Sequence, residues 1–172
     1  MNCYVFRNLF IYYFLDQYQG KLWELNRGLN KACQINDREL AELMIERGAS
    51  NLNLELKIAC SKGHRKLVQW IIKKGAGDWN QGLEGACFGG HRELVEFMIE
   101  KGADDWNKGL WVACHEGHLE LVELMIEKGA TDFIAGLAVA CKYDHRELVK
   151  LMIKEGASVC VWYQCHKTLA DH

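Results

Sequence analysis

The sequence predicts an all-α solenoid of five stacked helix-turn-helix repeats, and three markers with one period predict it. Ala-Cys stands at Ala32-Cys33, Ala59-Cys60, Ala86-Cys87, Ala113-Cys114 and Ala140-Cys141, each 27 residues after the last. Gly-Ala keeps the same step at Gly48, Gly75, Gly102, Gly129 and Gly156. Between them, a third position reads Asn36, Gly63, Gly90, Gly117 and Asp144, the residue types that tolerate a positive φ. Five copies without an insertion mean supersecondary units that bury their apolar faces on one another.

The period divides the 172 residues into a capping segment (1–21), the array (22–156) and a degenerate cap (157–172), all in one continuous body. The first segment is aromatic (Tyr4, Phe6, Phe10, Tyr12, Tyr13, Phe14) and reads as a terminal helix covering the exposed end of the array. Its apolar run, Leu9 to Leu15, is far shorter than the ~18 residues of a membrane span. Of the features of an export leader the segment has only Arg7 and this short apolar run, so export is not expected.

Within a unit, Leu110, Ala113 and Cys114 lie three and four apart and share one face of a first helix. Asn26, Asn53, Asn80 and Asn107 recur at its start, where a side-chain oxygen is expected to cap it; the fifth copy has Ile134 instead. The positive-φ position then reverses the chain tightly. A second helix carries Leu121, Val122, Leu124, Met125 and Ile126, and Lys128-Gly129 stops it. One apolar position before the first helix, Leu25, Leu52, Trp79, Trp106, Phe133 and Cys160, is expected to anchor the connecting loop between repeats.

Composition excludes several functions. With 21 basic and 23 acidic residues the net charge is −2, and no basic stripe marks a nucleic-acid partner. Hydrophobic residues at 49% are too many for a disordered chain, and no proline-rich linker is possible without proline. No phosphate loop, nucleophile elbow or zinc-protease pair occurs, so no enzyme and no cofactor are expected. Glu93, Glu96 and Glu100 recur at helical spacing and read as a solvated face paired with bases.

The Cys and His residues have bland explanations. The ladder Cys33, Cys60, Cys87, Cys114 and Cys141 falls on the buried face, and helices packed ~8–10 Å apart keep such thiols beyond the ~7 Å reach of a disulfide. Reduced thiols favour a reducing cytosol or nucleus, and the cytoplasm is the expected location. His64, His91, His118 and His145 follow four residues after a Cys and open the second helix, where they can bond the adjoining loop; Asp37 takes that place in the first unit. Two ligands per unit do not make a tetrahedral zinc site. Cys160, Cys165, His166 and His172 crowd the tail, but His166 and His172 are spaced too widely for a zinc pair.

Gly117-His118 followed by Leu-Glu-Leu-Val-Glu-Leu-Met-Ile-Glu-Lys-Gly129-Ala130, with Ala113-Cys114 before it, resembles the ankyrin repeat. The likeness covers all five units. Gly-Leu, as at Gly82-Leu83, replaces the family's Thr-Pro-Leu-His opening, and each unit is about six residues shorter than the ~33-residue norm. The shortfall lies where ankyrin repeats project a β-hairpin finger, so the fingers should be shortened or absent and strand content near zero. Shortened proline-free repeats of this kind resemble those of giant DNA viruses, which would place the protein in host cytoplasm.

The resemblance also implies that the first helices line a concave side and that the module binds a protein partner there. Positions that vary around Ala-Cys would then form the contact surface: Lys57, Lys62, Glu84, Phe88, Trp111, His115, Glu116, Lys142 and Tyr143. Aromatics with a charged rim have the composition of a binding hot spot. The alternative is assembly, in which the aromatic N-terminal segment pairs two arrays into a homodimer. Neither reading involves a membrane or nucleic acid.

Overall fold

Ten α-helices run through residues 22–157, the part of the chain that the computed structural model describes. They are α1 (Leu22–Gln34), α2 (Arg38–Glu46), α3 (Leu52–Ser61), α4 (Arg65–Lys73), α5 (Trp79–Gly89), α6 (Arg92–Lys101), α7 (Trp106–Glu116), α8 (Leu119–Lys128), α9 (Phe133–Lys142) and α10 (Arg146–Lys154). Consecutive pairs form five hairpins in step with the sequence markers, and the described residues contain no strand. The fold is the all-α solenoid that the period predicts, and it is ankyrin-like, as the resemblance implies. The terminal caps, the aromatic segment, Cys160 and the tail Cys and His residues lie outside the described residues.

The core is built column by column. Leu29, Leu56, Leu83, Leu110 and Leu137, spaced 27 apart, are all fully buried, as are Ala32, Ala59, Ala86, Ala113 and Ala140. Alanine lets neighbouring first helices press together, and these form the main contact between repeats; neighbouring second helices meet more sparsely. Leu67, Val68, Leu94, Val95, Leu121 and Val122 fill the space beneath, from the second helices. Each buried leucine contributes about 2 kcal/mol of apolar transfer.

The reversals behave as the sequence requires. Asn36, Gly63, Gly90, Gly117 and Asp144 all have positive φ, between 55° and 82°. At Gly90 a side chain is excluded twice, because an added Cβ would also lie 2.7 Å from the imidazole of His118 in the next repeat. That imidazole is held by main chain of the preceding repeat, its Nε2 donating to the Phe88 carbonyl at 3.4 Å. Nε2 of His145 donates to the carbonyl of His115 at 3.0 Å, and Nε2 of His64 to that of Gln34 at 3.2 Å. The acceptor is therefore the last turn of the preceding first helix, where the sequence suggested the adjoining loop. Asp37 caps α2 instead, accepting from the Leu40 N–H at 3.0 Å.

Two expectations need correction. The recurring Asn does not cap its own helix. Asp78, Asp105 and Asp132 do, accepting from the N–H groups of Gln81, Lys108 and Ala135. The Asn lies inside the first turn and reaches forward. Asn53 Oδ1 accepts from Gly77 and Asp78, Asn80 Oδ1 from Asp104 and Asp105, and Asn107 Oδ1 from Thr131 and Asp132, all at 2.8–3.2 Å. Without a hairpin, these connector N–H groups need another acceptor, and the preceding repeat supplies it. The second correction concerns the apolar anchor. Leu52, Trp79, Trp106 and Phe133 are the first residues of their helices, half-buried against the core, and Leu25 lies within α1.

Candidate interaction surface

On each first helix, the face opposite the buried columns is formed by positions three, four and seven residues apart, a stripe that recurs along the array. Across α3, α5 and α7 this stripe encloses an open groove of about 410 Å³. Leu54, Lys57, Ile58 and Ser61 form one wall, Trp111, Val112 and His115 the other, and Glu84, Gly85 and Phe88 lie between them. The missing side chain at Gly85 matters. A Cβ there would strike the carbonyl of Lys57, and one at Gly89 the carbonyl of Ser61. Helix α5 thus rests backbone to backbone on α3, and the groove has a bare stretch flanked by Ile58 and Val112.

The apolar rings around the groove are exposed: Phe88 at 51%, Trp111 at 40% and Tyr143 at 41%. Three rings form a chain from α7 to α9, with Trp111 stacked on His115 at 5.5 Å between centroids and His115 against Tyr143 at 4.3 Å. Charges cross the same region. Glu84 Oε1 receives Lys57 Nζ at 2.9 Å and Lys108 Nζ at 3.6 Å, from the helices on either side. Lys108 Nζ also stands 5.2 Å from the Trp111 ring centre, and Lys142 Nζ 5.3 Å from that of Tyr143.

Of the residues expected at a contact surface, the structure brings Lys57, Glu84, Phe88, Trp111 and His115 together in the groove. Glu116 hydrogen-bonds His115, and Tyr143 and Lys142 extend the surface onto α9. Lys62 follows the end of α3, exposed, and does not line the groove. Sequence reading missed Leu54, Ile58, Val112 and Lys108. Leu54 and Lys108 lie one turn before Lys57 and Trp111, so extending the stripe by three residues would have found them.

One buried polar residue has no counterpart in the other repeats. Glu55 is fully buried in α3, where the 27-residue period places Gly28, Gly82, Gly109 and Gly136 in the other first helices. At those glycines a Cβ would meet the sulfur of Met44, Met98, Met125 or Met152; the second repeat has Ile71 in place of that Met. Neither carboxyl oxygen of Glu55 has a well-formed hydrogen bond. Burial raises its pKa to about 7, against smaller opposing effects of the Cys33 thiol and the Asn30 amide beside it. The broken column of glycines was the available signal.

Cys33, Cys60, Cys87 and Cys114 are buried free thiols, not disulfides. Burial pushes Cys60, Cys87 and Cys114 up to about 12, and Cys33 higher still. Such thiols are poor nucleophiles and poor metal ligands. Among the described residues, no group of three or more His, Cys, Asp and Glu side chains is placed to hold a metal ion. No helix among them is long and apolar enough to cross a membrane.

These features define a helical-repeat scaffold that displays side chains on one face of its first helices. Residues 83–162, just under half of the chain, match the family model described as ankyrin repeats (3 copies), and the array resembles ankyrin-repeat proteins in fold and repeat pattern. No curated protein matches the chain. Ankyrin repeats are generally protein–protein interaction modules and typically not enzymes.

Proposed function

We propose that this chain is a non-enzymatic module that binds a protein partner on the exposed face of its first helices, centred on the groove between α3, α5 and α7. The observation that carries this reading is the cluster of half-exposed rings Phe88, Trp111 and Tyr143 beside that groove. Exposed aromatics are costly to leave in water, and they are the residue types on which binding energy concentrates. The tighter contact between first helices than between second helices also supports a concave first-helix side, as the resemblance implies. The partner-contacting residues in this reading are Lys57, Glu84, Phe88, Trp111, His115, Glu116, Lys142 and Tyr143, with Lys62 at the rim.

A pull-down from native host extract tests the reading. Trp111→Ala and Tyr143→Ala should each lose partners that wild type retains while keeping the helical circular dichroism of wild type. Variants that retain every partner at wild-type yield would count against this face.

A further inference from the structure

We infer that the occupant of the groove is an acidic segment of the protein partner, one that sets apolar side chains against Phe88 and Trp111 and carboxylates among the groove lysines. The inference rests on the binding face proposed above and adds the partner's chemistry.

The argument is charge complementarity. The chain as a whole carries a net charge of −2. Basic residues are in excess along the stripe itself, between acidic helix caps. The exposed stripe carries Arg27, Lys31, Lys57, Lys108 and Lys142 against Glu24, Glu84 and Glu116, with Lys62 and the capping Asp78, Asp105 and Asp132 at its margins. Helical spacing places these residues on one side of the first helices, away from the buried leucine, alanine and cysteine columns.

The local pattern is sharper than the total. In the groove, a single carboxylate oxygen of Glu84 serves two ammonium groups, Lys57 from one side and Lys108 from the other. Two cations to one anion leave a net positive charge beside the exposed rings of Phe88 and Trp111. An incoming Asp or Glu side chain would complete that arrangement, while an apolar neighbour in the same segment covers the rings. A basic segment would meet the lysines unfavourably. A nucleic acid is disfavoured because the small basic excess of the stripe cannot match a backbone that carries a charge at every phosphate.

The test uses the full chain and a phage-displayed library of random peptides, followed by fluorescence polarisation on the enriched sequences. The expected result is enrichment of peptides that combine Asp or Glu with aromatic or aliphatic residues. Their binding should weaken about tenfold or more in Lys57→Glu/Lys108→Glu, and should weaken as salt is raised. Both lysines are at least one-third exposed at the side chain, so the variant should fold; matching circular dichroism confirms it.

Peptides lost on Trp111→Ala but without acidic bias, or indifferent to the charge reversal, would overturn this inference and leave the binding face standing. Peptides indifferent to Trp111→Ala would overturn both. A library yielding no binder, or a labelled single-stranded oligonucleotide binding more tightly than the selected peptides, would also overturn the acidic-segment assignment.

Discussion

The side-chain oxygen of Asn80 accepts the main-chain N–H of Asp105 at 3.1 Å, across 25 residues and from one repeat to the next. Asp104 donates to the same oxygen at 2.9 Å. Asn53 and Asn107 make the same double bridge one repeat before and one after. This link couples repeats whose connectors are too short to pair as hairpins. It also positions Asp105, which caps α7 and so orients the helix that carries Trp111 and His115.

Replacing Asn80 by Ala leaves two connector N–H groups without their protein acceptor. The expected loss is about 1–3 kcal/mol, seen as a lower urea midpoint with little change in slope. Gln69→Ala, on the exposed face of α4, should change stability by less than about 0.5 kcal/mol. Equal effects at the two positions would refute the bridge.

Gly90→Ala should cost at least about 1 kcal/mol from the positive φ alone, and more because the methyl group meets the His118 ring. A double-mutant cycle separates the two causes. In a His118→Ala background the steric part disappears, so a coupling of about 0.5 kcal/mol or more is expected by chemical denaturation. Strict additivity would mean that the ring moves aside freely.

Glu55 gives the fold a defined pH dependence. Its folded pKa of about 7 lies above the ordinary value of 4.5, so between those values the folded chain holds a proton that the unfolded chain releases. This group therefore lowers stability as pH rises from about 4.5 to 7, and its penalty, roughly 3 kcal/mol, is constant above that. Glu55→Gln should flatten the stability profile across this window and be the more stable protein at pH 8. Amide exchange in α1, which packs on Glu55 through Asn30 and Cys33, should slow in the variant. Identical pH profiles for the two proteins would contradict the assignment.

Cys60, Cys87 and Cys114 should resist alkylation in the native protein at pH 8, because burial removes the thiolate as well as access. Mass-spectrometric mapping of iodoacetamide adducts should find them modified only once denaturant unfolds the array. Rapid labelling of any of the three without denaturant would show that the ladder is open to solvent.

The fold was legible because the strongest signals are geometric and repeat. A positive-φ reversal, a glycine stop and an alanine where helices touch each restrict residue type at a fixed position, so the period shows them plainly. The double bridge was less legible. An Asn at a helix start looks like a cap, and only coordinates reveal that Asp78, Asp105 and Asp132 already occupy that role. The groove was half legible: variation around Ala-Cys pointed to Phe88, Trp111 and Tyr143. Gly85 and Gly89 gave no hint that they bring α5 onto α3, because a missing side chain registers only against a neighbouring helix. Glu55 was visible as a break in a column of glycines, but only coordinates show that its carboxylate is fully buried.

The most direct test of the account is backbone NMR of isotopically labelled full-length chain titrated with a bound protein or selected peptide. Shift changes should cluster on the outward residues of α3, α5, α7 and α9, with Phe88, Trp111, His115 and Tyr143 among the largest. Changes confined to the second helices α4, α6 and α8, with those four residues unmoved, would contradict the claim that the first-helix face receives the partner.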